Sequence, residues 1–118
     1  MEKKHKIVFV LVGVLFLSVI LFLSFRPRTP GAFDEFAKCL NSEGVVMYGT
    51  EWCDFCQRQK DMFDGSFDLV NYIDCDRNTP ECNARGVEGF PSWDIEGELY
   101  SGIMDLGELS ELTGCPLY

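Results

Sequence analysis

Three observations predict a small α/β domain carried behind one N-terminal transmembrane helix. An uncharged apolar run of 19 residues, Ile7 to Phe25, stands near the start of the chain. Beyond it, segments of helical period alternate with short β-branched runs, the order that builds α/β folds. Further on, two strand-like runs joined by a glycine-bearing turn precede a segment with a helix-capping signature. The chain has 118 residues, so a membrane anchor and tether over residues 1–28 leave residues 29–118 as one domain. A domain of that size has a thin core, which disulfides would supplement, and six cysteines meet that need.

At about 1.5 Å per residue the apolar run reaches about 28 Å, enough to cross the hydrocarbon core of a bilayer. A cleaved signal peptide has an apolar region of only about 7–15 residues followed by small residues. Here Arg26-Pro27-Arg28 follows, so an uncleaved signal anchor is expected. Lys3, Lys4 and Lys6 before the run barely outnumber Arg26 and Arg28 after it, which favours a cytoplasmic N-terminus by a small margin. Six cysteines in so short a domain strengthen that orientation, because paired thiols persist in an oxidising, extracytoplasmic compartment.

Pro27, Pro30 and Gly31 end the first helix and form a short stiff tether. Phe33, Phe36, Ala37 and Leu40 recur at i, i+3, i+4 and i+7, an amphipathic helix stopped by the stretch Asn41 to Gly44. Val45 to Tyr48 reads as a buried strand. It leads into Trp52-Cys53 and a proline-free, glycine-free helix from Asp54 to Phe63, ended at Gly65. Phe67 to Ile73 reads as a second strand and Glu81 to Arg85 as a short helix ended by Gly86. Ser92 to Ile95 and Leu99 to Ser101 form a hairpin about Glu96-Gly97-Glu98. Asp105 with Glu108 makes a capping box for a last helix bearing Leu106, Leu109 and Leu112.

From Thr29 onward there are 18 acidic residues against five basic ones, a net charge of −13. That balance repels nucleic acid and suits a solvated, monomeric domain. His5 is the only histidine and lies on the membrane-proximal flank, so the domain has no imidazole for a Cys–His protease or acyltransferase. There is no glycine-rich phosphate loop, and no cofactor is implied.

Chemistry concentrates at Cys53-Asp54-Phe55-Cys56. This spacing places two thiols within one helical turn, the first at the positive end of the helix dipole, a position that favours thiolate. Cys53 can attack a partner disulfide while Cys56, one turn further in, resolves the mixed disulfide. Trp52 abuts the dithiol and is a candidate for substrate contact, as is Trp93. Phe90-Pro91 opens the third strand. A cis peptide there would face the dithiol and shape a peptide groove with Trp52, Phe90 and Pro91 beside Cys53.

Trp52-Cys53-Asp54-Phe55-Cys56 with Gly89-Phe90-Pro91 resembles the thioredoxin superfamily. More narrowly, Phe36-Ala37-Lys38-Cys39-Leu40, Met47-Tyr48-Gly49, Asp74-Cys75-Asp76, Cys82 and Leu99-Tyr100-Ser101-Gly102 resemble the thioredoxin-like domain fused to, or partnering, bacterial vitamin K epoxide reductase homologues. The resemblance implies a central mixed four-stranded sheet flanked by helices. It further implies that Cys53 and Cys56 shuttle disulfides between a quinone-linked membrane enzyme and secreted or membrane thiol proteins, and that Cys75 and Cys82 form an additional disulfide. The membrane enzyme would be a separate protein. Cys39 and Cys115 remain, and pairing them would tie the first domain helix to the C-terminal end, although six cysteines allow 15 pairings.

The chain departs from that family at two places. Asp54-Phe55 stands where Pro-His is typical, so no imidazole steadies the Cys53 thiolate and Asp54 opposes it. Met47 stands where thioredoxins proper keep a buried aspartate six residues before the first cysteine. Direction of electron flow is open: the same dithiol suits oxidation of secreted thiols or reduction of particular disulfides. Two other classes compete. Cys53, Cys56, Cys75 and Cys82 could be four thiolate ligands of a metal, although the second pair lacks zinc-site spacing. Alternatively the dithiol is a structural disulfide in a non-catalytic binding module.

Overall fold

The computed structural model describes all of residues 1–118. Helix α1 (Glu2–Ser24) is apolar along its length and packs against nothing else in the chain. Its 23 residues span about 35 Å, so it is long and apolar enough to cross a membrane. Then follow α2 (Asp34–Ser42), β1 (Val46–Gly49), α3 (Asp54–Asp61), β2 (Asn71–Asp74), α4 (Thr79–Arg85), β3 (Ser92–Ile95), β4 (Glu98–Ser101) and α5 (Leu106–Thr113).

The four strands form one mixed sheet in the order β2-β1-β3-β4. β1 runs parallel to β2, with Tyr48 opposite Ile73, a pairing that requires the crossover through α3. β3 lies antiparallel to both β1 and β4. Because Tyr48 stands opposite Ser92, the segment leaving β1 toward Cys53 and the segment entering β3 at Pro91 meet at the same end of the sheet.

Successive residues of β1 face opposite sides, as strand geometry dictates. Met47 joins the larger core with Phe36, Leu40, Phe63, Trp93 and Leu109, which draws on α2, α3 and α5. Tyr48 joins a smaller cluster with Cys75 and Cys82 beneath α4. Each core carries a disulfide: Cys39–Cys115 ties α2 to the segment after α5, and Cys75–Cys82 ties the end of β2 to α4. With Cys75 and Cys82 bonded to each other, the four-thiolate metal arrangement is not formed.

Three elements differ from the sequence reading. Phe67–Leu69 is a 3-10 turn, and only Asn71–Asp74 is strand. An apolar run cannot by itself distinguish the two, since Phe67 packs against the core from the turn just as it would from a strand. α4 begins at Thr79 rather than Glu81, because proline is tolerated in a first helical turn and Pro80 lies there. At α5 the Asp105 carboxylate accepts from the Gly107 N–H at 2.8 Å, a single cap in place of a reciprocal box with Glu108. The hairpin turn is the two-residue Glu96-Gly97, both at positive φ (52° and 84°), the geometry that matches the twist of the flanking strands.

The tether is also held more firmly than a spacer. The Arg28 guanidinium donates to both carboxylate oxygens of Asp68 (2.6 and 2.7 Å), to both of Asp34 (2.9 and 3.1 Å) and to the Gly65 carbonyl (2.9 Å). Asp34 is held down to about 2 by its hydrogen bonds with Arg28, and Asp68 is lowered by the same partner. Gly65 lies beyond the C-terminal end of α3, whereas the dithiol lies at its N-terminal end.

Candidate active site: a dithiol beside an apolar cleft

β1 ends at Gly49, the chain turns through Thr50-Glu51-Trp52, and Cys53 becomes the N-cap of α3 in an extended conformation. An N-cap side chain satisfies an otherwise orphaned helix donor. Here Cys53 Sγ does so, accepting from the Cys56 N–H at 3.1 Å. Both thiols are free and both are buried, Cys53 at 7% exposure and Cys56 at 0%. Cys53 is thus the outer sulfur and Cys56 the inner one.

The Phe90–Pro91 peptide bond is cis, and the Phe90 carbonyl lies 3.7 Å from Cys53 Sγ, within reach of its S–H. Trp52 is 69% exposed and meets the Phe90 ring edge-on at 6.3 Å. Phe90 also lines an open cleft of about 460 Å³ with Phe55, Gly89, Ser101, Gly102 and Ile103. Phe55 is 57% exposed, with the Arg58 guanidinium 5.5 Å above its ring. Exposed aromatic side chains beside a reactive atom are a surface for an apolar partner segment. The structure therefore brings Cys53, Cys56, Trp52, Phe90 and Pro91 together. Trp93 is elsewhere: its indole is completely buried in the main core.

Burial pushes the Cys56 thiol up to about 12, reinforced by its hydrogen bond with Cys53; the Thr50 backbone and the Lys60 ammonium act in the opposite direction. Met47, where a carboxylate would otherwise lie, is fully buried in the core. Lys60 pairs with Glu51 at 3.3 Å.

Several residues that shape the site escaped the sequence reading. Gln59, on the dithiol helix itself, is fully buried on the same face as Cys56. Its amide oxygen accepts from Trp93 Nε1 (3.1 Å) and from the Met104 N–H (2.7 Å), and its amide nitrogen donates to the Met104 carbonyl (2.9 Å). That network locks α3 to β3 and to the segment before α5. Thr50 and Tyr72 each bury a hydroxyl with no partner. Gln59 lies three residues after Cys56, on the same helix face, and that spacing was the available signal for the first. Nothing local marks the other two.

No protein-family profile matches the chain. It is similar to the thiol-disulfide oxidoreductase LTO1 of Arabidopsis thaliana, 40% identical over 90 residues, an overlap of 69% of this chain and 24% of that protein. The chain thus spans about a quarter of the length of that relative. Among solved structures it is similar to a mutant thioredoxin from Halobacterium salinarum, with a TM-score of 0.50 and 24% identity over 71% of this chain and 84% of that one. The sheet order, the helix-capping dithiol and these likenesses together establish that the chain has a thioredoxin-like fold.

Proposed function

We propose that this protein is a membrane-anchored thiol–disulfide oxidoreductase whose working pair is Cys53 and Cys56. The observation that carries the reading is the division between the two sulfurs: Cys53 caps the helix beside Phe90, which lines the cleft, and retains slight exposure, whereas Cys56 is sealed one helical turn behind it. In exchange, Cys53 thiolate attacks a partner disulfide and forms a mixed disulfide. Cys56 then attacks Cys53 Sγ and releases the partner as a thiol. The reverse sequence passes an existing Cys53–Cys56 disulfide to a partner dithiol. The exposed rings of Trp52 and Phe55 and the half-buried ring of Phe90 would hold the partner segment, and the Phe90 carbonyl beside Cys53 Sγ is available to pair with its backbone.

The anchor reading rests on α1, whose apolar length matches a bilayer, and the extracytoplasmic side on the two disulfides, which persist best in an oxidising compartment. The partner we favour is a quinone-linked membrane enzyme of the vitamin K epoxide reductase type, acting in disulfide formation. Support for that partner comes from the sequence resemblance alone; the relative's description as a thiol-disulfide oxidoreductase supports the exchange chemistry. A Cys56→Ala variant in native membranes tests this, because without the resolving thiol Cys53 stays covalently attached to its partner. Capture of a quinone-linked enzyme supports the oxidative role. Capture of an electron-delivering membrane protein instead would reverse the direction, and no Cys53-dependent adduct would leave only a non-catalytic binding module.

A further inference from the structure

Exchange through this pair, on which the inference rests, requires Cys56 as a thiolate in both directions: as the attacking sulfur in one and the departing sulfur in the other. A sulfur with no exposure is poorly suited to carry charge, and Met47 offers it no help from β1.

One cation is placed to compensate. Lys60 follows Cys56 by four residues on α3, the spacing that puts two side chains on one helix face. Its side chain is only 17% exposed, and its ammonium sits 3.3 Å from Glu51 Oε1 and 4.0 Å from the centre of the Tyr72 ring. Tyr72 enters the same space from β2. A Cβ on Gly49 would lie 2.9 Å from Cys56 Sγ and 3.2 Å from Tyr72 Cε2, so the sulfur and the ring edge converge over the one β1 residue without a side chain. Cε2 is the ring carbon next to the one bearing the hydroxyl. That hydroxyl is buried and unpartnered; burial first, and the nearby Glu51 charge second, raise Tyr72, but Glu51 makes no hydrogen bond of acceptable geometry to it. A buried donor without an acceptor calls for a reason, and a transient anion beside it supplies one.

We propose that Lys60 and Tyr72 are positioning residues that steady the Cys56 thiolate during exchange, in place of a buried carboxylate. Glu51 orients the ammonium, the ammonium supplies positive charge across the Tyr72 face, and the Tyr72 hydroxyl is the spare donor. Cys53, the Thr50 backbone and Asp74 are the other groups that bear on this pair. In the reductive direction Cys56 loses its proton to solvent and its sulfur bonds to Cys53 Sγ. The Cys53–partner S–S bond breaks, and the partner sulfur leaves as thiolate and is protonated by solvent. The dithiol loses two electrons and the partner disulfide gains them.

The test uses the reduced full-length chain in detergent and dithionitrobenzoate, whose reduction releases coloured thiolate in two phases. Attack by Cys53 gives the first and resolution by Cys56 the second. Removing an opposite charge near a titrating group moves it by about one pH unit, so Lys60→Met should slow the second phase about tenfold at neutral pH and shift its pH profile upward. The first phase should be unchanged and Lys60→Arg should restore the second. Tyr72→Phe should slow the second phase in the same sense by a smaller factor. Second-phase rates and pH profiles equal to the parent's in both Lys60→Met and Tyr72→Phe overturn the inference. A parent protein with no second phase overturns the exchange reading itself, a result distinguishable from the first.

Discussion

Replacing Gln59 with leucine keeps the volume of a fully buried side chain but removes its amide. Three groups lose their partners at once: the Trp93 indole N–H, the Met104 N–H and the Met104 carbonyl. Each buried orphan costs about 1–3 kcal/mol, and since the three share one site their costs overlap, giving about 3–5 kcal/mol in all. Domains are stable by only about 5–15 kcal/mol, so the loss is a large share. At about 4–8 °C per kcal/mol for a domain of this size, the melting temperature should fall by roughly 12–40 °C. Trp93 is itself the reporter: its buried indole should shift to longer emission wavelength on unfolding, whereas exposed Trp52 changes little and α1 contributes nothing to the signal. Melting followed by this emission, for parent and Gln59→Leu in the same detergent, measures the difference. A loss below about 1 kcal/mol would refute the claim that this amide locks α3 to β3.

Other outcomes follow from the same geometry. Gly49→Ala places a Cβ 2.9 Å from Cys56 Sγ and should destabilise the reduced protein by about 1–3 kcal/mol in denaturant titrations through overpacking. Loss of Cys39–Cys115, which spans 76 residues, should cost about 4–5 kcal/mol by loop-closure entropy. Loss of Cys75–Cys82, which spans seven, should cost about 2–3 kcal/mol, and the ranking is read from paired Cys→Ala variants. The tether should respond to acid: a carboxyl held low by its partner contributes fully above its ordinary value near about 4 and loses that contribution as pH falls through about 2. Amide exchange over residues 26–34 should therefore be level from neutral pH to about 4 after correction for intrinsic rates, then rise, while Arg28→Ala should show the fast exchange at neutral pH.

What could be seen in the sequence was what local chemistry decides. The strand running into Trp52-Cys53, the glycine stop at Gly86 and the Asp105 N-cap each depend on residues within a few positions, and the structure has them where expected, whereas α3 ends at Asp61, short of the expected Phe63 and Gly65. Of the three residues expected to form a groove, Phe90 lines the open cleft, Trp52 packs edge-on against it, and Pro91, just before β3, is buried. What could not be seen depends on residues far apart. Gln59 meets partners 34 and 45 positions away, and Arg28 meets Asp68 across 40. No periodicity announces such pairs. Trp93 looked like a surface for substrate because it follows Pro91 closely, but strand alternation turns it into the core. Lys60 carries no local mark of its role, which depends on Tyr72 and Glu51 being brought around it.

The central claim is that Cys53 is the sulfur that exchanges with a partner and Cys56 the one that resolves. Its most direct test is to mix the purified, reduced chain with a model peptide disulfide, quench with acid, and locate the mixed disulfide by mass spectrometry in the parent, Cys56→Ala and Cys53→Ser proteins. The account predicts a peptide adduct on Cys53 that is fleeting in the parent and persistent in Cys56→Ala, and none in Cys53→Ser. An adduct that persists in Cys53→Ser, or forms instead at Cys75 or Cys82, would contradict it.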